Sequence, residues 1–73
     1  MRVNVAKLRG KFVEQGVTQE QVSTAIRIDK STFSRKMKSD ALDFSIGEMH
    51  NIVKYLNLTA DEAKDIFLSA NSQ

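Results

Sequence analysis

The sequence contains no cysteine, no proline and only three glycines. Without cysteine there is no disulfide to staple a small chain and no thiolate for nucleophilic or metal chemistry, so stability has to come from helix packing, capping or a partner. A reducing, intracellular setting fits that absence. Also missing is any run of about 18 apolar residues, and the basic opening MRVNVAKLRG is followed by no apolar stretch of signal-peptide length. The expectation is a cytoplasmic chain that is neither secreted nor membrane-spanning. No glycine-rich phosphate loop and no catalytic signature occurs, and His50, the only histidine, has no second histidine or cysteine to complete a metal set. Neither an enzyme nor a metal or cofactor site is therefore expected: Asp61, Glu62 and Asp65 resemble paired carboxylates, but Asp61 and Glu62 fall in a first helical turn, where negative charge favours the dipole.

What is present is charge, unevenly placed. The formal balance over 73 residues is only +2. Residues 27–38, however, hold five basic side chains against one aspartate, whereas residues 40–73 hold two basic against six acidic. A charge run is commonly just a solvated face, so the bias matters only if the local geometry displays it.

Strand-type alternation never lasts more than a few residues, and apolar residues recur at helical spacing. A first helix is predicted from Val5 to Gln15, with Asn4 as N-cap, Val5, Leu8 and Phe12 on one face and Gly16 as the stop. Gly10 weakens it by about 1 kcal/mol relative to alanine, a cost that close approach of a neighbouring helix would explain. A second helix starts at Thr18, which forms a capping box with Gln21 and a staple between Val17 and Val22; its inner stripe is Val22, Ala25 and Ile26. A third follows at once, capped by Asp29, stapled by Ile28 and Phe33, with Phe33 and Met37 inward. The fourth has the Ser45–Glu48 capping box, the Phe44–Met49 staple and the stripe Met49, Ile52, Val53, Leu56. The fifth opens with the Thr59–Glu62 box and turns Ala63, Ile66, Phe67 and Ala70 inward, before a polar end at Asn71, Ser72 and Gln73 that should fray. The expectation is an all-α single domain over residues 1–70.

Two short helices separated by a turn near Arg27 to Asp29 describe a helix-turn-helix. With Phe33 at zero and about 100° per residue, Met37 falls near 40°, whereas Ser31, Arg35 and Lys38 fall near 160°, 200° and 140°. Those three point away from the core, flanked by Thr32 and Ser34, with Lys30 in the first turn. Such a row suits the DNA major groove, where guanine offers two acceptors to a bidentate arginine, and hydroxyls reach base edges or phosphates.

The segment TQEQVSTAIRIDKSTFSRKM resembles the helix-turn-helix of the Cro and repressor family. Together with KLRGKFVEQG, FSIGEMHNIVKYLNL and TADEAKDIFL it is similar to small Cro-like regulators of temperate phages of Gram-positive bacteria. The resemblance implies five helices in a lambda-repressor/Cro-like domain, acting on double-stranded operator DNA in a bacterial host cell. Carried over by position, it makes Lys30, Ser31, Thr32 and Arg35 base-reading residues. Gln19, Ser34, Lys38 and the loop from Ser39 to Asp43 become backbone-contacting. A homodimer on a palindromic site is compatible with it. So is an antirepressor that binds the cognate phage repressor; the acidic second half and the aromatic residues Tyr55 and Phe67 would serve such a contact. The chain departs from the family at Ser23, where alanine is usual, at Arg27, where glycine is usual, and at Lys36, where an apolar residue is common. A left-handed Arg27 would cost about 1–2 kcal/mol, so other turn dihedrals are expected, with Met37 taking the packing role that Lys36 vacates.

Overall fold

The computed structural model describes residues 3–38 and 44–67, and within them five short helices and no strand. They are α1 (Val5–Gln15), α2 (Gln19–Ala25), α3 (Lys30–Lys38), α4 (Ile46–Leu56) and α5 (Ala60–Phe67). Residues 39–43 and 68–73, the latter including Ala70 and the polar end, lie outside the described residues.

Each helix begins where a side chain replaces a missing backbone partner. Asn4 accepts from the Lys7 amide at 3.1 Å, and Thr18 and Ser45 each form a reciprocal box with Gln21 and Glu48. Thr59 and Glu62 do the same for α5, through bonds of 2.9 and 3.1 Å. The helix ends are equally alike. Gly16, Arg27 and Asn57 all have positive φ, and each follows a helix that it closes. The next residue is in every case apolar, and its amide reaches back across the last turn: Val17 to Phe12, Ile28 to Ser23, Leu58 to Val53, at 2.9–3.0 Å. The same succession of a left-handed residue, an apolar residue and a cap therefore leads from α1 to α2, from α4 to α5 and, after Ile26, from α2 to α3.

Arg27 sits at φ 65°, so the left-handed turn is kept despite its side chain, contrary to the expectation of other dihedrals. The reason is local. The amides of Arg27 and Ile28 satisfy the carbonyls of Thr24 and Ser23, and those bonds offset part of the steric cost.

The core runs through all five helices and includes Leu8, Phe12, Val22, Ile26, Phe33, Met37, Phe44, Ile52, Leu56, Leu58, Ile66 and Phe67. Phe33 is its hub, with ring centroids 6.4 Å from Phe12 and 5.6 Å from Phe44. Two details of α2 and α1 differ from expectation. Ala25 is exposed and Ser23 takes the inner position, with its hydroxyl donating to the Glu20 carbonyl at 2.8 Å, so the buried polar group is satisfied. Gly10 faces open space, with no atom within 4 Å of where a Cβ would stand, so no close approach explains it. Phe67 is buried and Tyr55 is 43% exposed, which removes Phe67 from consideration as a surface anchor.

Candidate nucleic-acid interface

α3 owes its orientation to three anchors. Phe33 and Met37 are buried, at 0% and 2% exposure, and fix which side of the helix faces inward. At the start, the Asp29 carboxylate accepts from the amides of Ser31 and Thr32 at 3.0 and 3.4 Å. Near the end, Lys36 folds back instead of extending: its ammonium bonds Glu48 of α4 at 2.9 Å and lies 5.7 Å from the Phe44 ring centroid. A lysine thus occupies a position where an apolar residue is common, with its ammonium over the Phe44 ring and its charge met by Glu48. Burial pushes the Glu48 carboxyl up, but the Lys36 ammonium and the Ser45 amide more than offset this and hold it below its ordinary value.

With that face fixed, Lys30, Ser31, Arg35 and Lys38 are exposed, and Thr32 and Ser34 are half-buried beside them. Arg35 and Lys38 form no ion pair among the described residues. A shallow groove between α2 and α3 is lined by Gln19, Glu20, Lys30, Ser31, Ser34 and Arg35. It brings five of the sequence-predicted residues onto one surface; Thr32 and Lys38 are not among its lining residues. The predicted loop contacts at Ser39 to Asp43 fall outside the described residues.

Two of these side chains are already engaged. The Ser31 hydroxyl donates to Asp29, which leaves its oxygen as an acceptor only, so Ser31 can meet a base amino group but not, in this rotamer, a phosphate. The same bond, followed by the Thr32 and Ser31 amides, holds the Asp29 carboxyl below its usual 3.8, so it is ionised at neutral pH. Lys30 lies 3.7 Å from the carboxylate of Glu20, an exposed pair that lowers the net charge of the groove.

Sequence reasoning missed Glu20 and Arg9. Arg9, exposed on α1, donates to Gln19 Oε1 at 3.3 Å. Nothing in the local pattern links residues so far apart in the chain; only the folded chain brings the Arg9 side chain to Gln19. His50 is exposed, and no group of acidic, histidine or cysteine side chains among the described residues could hold a metal ion. No described helix is long and apolar enough to cross a membrane. The chain matches no protein-family model, no curated protein and no solved structure.

Proposed function

We propose that the protein is a sequence-specific regulator of transcription that binds double-stranded DNA as a Cro-like helix-turn-helix domain. In this reading α3 enters the major groove, and Gln19, Ser34 and Lys38 steady it on phosphates. The observation that carries the reading is the outer face of α3. Arg35 and Lys38 are exposed and form no ion pair among the described residues, on a helix whose opposite face is locked by Phe33 and Met37. An arginine presented from a rigid helix matches the two acceptors of guanine, a geometry that an ordinary solvated surface has no need to hold.

The test is a titration against duplex DNA from the region flanking the protein's own gene, at about 50 and 200 mM salt, with mixed-sequence duplex in parallel. Binding that is tighter to one defined site and falls steeply with salt is the expected outcome. Equal, salt-insensitive binding to both duplexes would sink the proposal.

A second reading, an antirepressor that binds the cognate repressor protein, draws on a different observation. Tyr55 is 43% exposed beside a groove lined in part by Thr24 and Ala25 of α2, and amphipathic aromatics of this kind anchor protein interfaces. The two readings separate when the repressor is added: a stable complex that Tyr55→Ala abolishes, without DNA affinity in the free protein, would select the second.

A further inference from the structure

We propose that Arg9, on α1 and outside the α2–α3 pair, belongs to the phosphate-contacting surface, where it sets the direction of the Gln19 amide. The inference rests on the DNA-binding reading and adds to it a residue from a different helix. Its basis is the side-chain contact between Arg9 and Gln19 Oε1 at 3.3 Å.

A glutamine amide is ordinarily ambivalent, with an acceptor at one end and two donors at the other. Here its oxygen is taken by a guanidinium, so the outward end of Gln19 is the NH2 group. The guanidinium itself has five N–H donors, and only one is used in this contact. No carboxylate among the described residues pairs with Arg9, so its charge is not neutralised within the chain.

Side by side, the two side chains offer mainly N–H donors and carry one positive charge. A phosphate presents acceptors together with a full negative charge, which this pair matches. Guanine also offers two acceptors, but Arg9 stands on α1 and does not line the α2–α3 groove, so the pair is assigned to the backbone and not to a base edge. Lys30, across the α2–α3 groove, is partly offset by Glu20, whereas Arg9 beside Gln19 has no carboxylate partner among the described residues.

Because a phosphate contact carries no sequence information, the probe is a mixed-sequence duplex, measured with the full chain at about 50 and 200 mM salt. Arg9→Ala is expected to lower the slope of log affinity against log salt by about 0.9, so that the wild-type advantage shrinks about 3- to 4-fold between those concentrations. Arg9→Lys should recover the slope but not the full affinity, because an ammonium lacks the planar fork that holds the amide. In a double-mutant cycle the combined loss for Arg9→Ala and Gln19→Ala should fall short of the product of the single losses. Lys64→Ala removes the same charge from α5 and should leave the slope unchanged. Thermal melting checks that each variant is folded, and Arg9→Gln, which keeps the stem without the charge, should repeat the Arg9→Ala slope.

An unchanged slope for Arg9→Ala and Arg9→Gln, in a wild type that binds with a clear salt dependence, overturns this inference and leaves the DNA-binding reading standing. An equal drop for Lys64→Ala also overturns it, by showing a response to net charge alone. A wild type without salt-dependent affinity for duplex DNA overturns both.

Discussion

Arg27 is held in a backbone conformation that costs a side-chain-bearing residue about 1–2 kcal/mol, and glycine is free of that cost. Arg27→Gly is therefore expected to stabilise the fold by about 0.5–1 kcal/mol after the extra chain entropy of glycine is subtracted, measured as a higher urea midpoint. Gly10 is the reverse case. It lies in mid-helix with open space around it, so Gly10→Ala should also raise stability by about 0.5–1 kcal/mol in the same measurement. In the proposed DNA complex, the two exposed cations of α3, Arg35 and Lys38, should behave differently. Arg35→Ala is expected to cost about 1–3 kcal/mol on a preferred site and to relax preference at one base pair, whereas Lys38→Ala should weaken all duplexes alike. Equal losses for Arg35→Ala on preferred and mixed sequence would remove its base-reading role.

At the level of elements, the connector of left-handed residue, apolar residue and cap explains how such short helices hold together. Its central residue does two jobs, closing one helix with its amide while its side chain, Val17, Ile28 or Leu58, packs on the core and sets the entry of the next. The caps and staples were each legible in sequence because they depend on spacings of three to five residues. The left-handed Arg27 was not, because its local preference runs against it and only the two returning amide bonds and the packing of Ile28 hold it there. Asp29 is the cap on which the start of α3 depends. Asp29→Ala should lower stability by about 1 kcal/mol and release the Ser31 hydroxyl, whereas Asp29→Asn should keep most of the cap. Chemical denaturation of the three proteins distinguishes these outcomes.

Across the whole molecule, α1 and α5 are joined by Lys11, which bonds Glu62 and lies 3.2 Å from Glu14, and by the Asn4 amide on the Ile66 carbonyl. Hydrogen bonds from Lys11 and the Thr59 amide hold the Glu62 carboxyl below its ordinary 4.5, and Glu48 is lowered as well. The stability they contribute is present above about pH 4.5 and is lost as pH falls through the lowered values. Lys11 is raised, mainly by its bond to Glu62, so its contribution is present below 10.5 and is lost as pH rises through the raised value. Urea midpoints should therefore be flat near neutrality and fall in acid, and Glu62→Gln should flatten the acid limb; an unaltered limb would show that the pair contributes nothing. Sequence by itself determined the helices, their starts and most of the inward residues, because capping and amphipathic spacing are short-range and repeat at fixed intervals. Tertiary packing alone decided that Ser23 and not Ala25 is buried, that the Lys36 ammonium lies over Phe44, that Glu20 meets Lys30 across the α2–α3 groove, and that Arg9 reaches Gln19. Those outcomes depend on which helix lies beside which, and no local spacing encodes a contact between side chains on different helices.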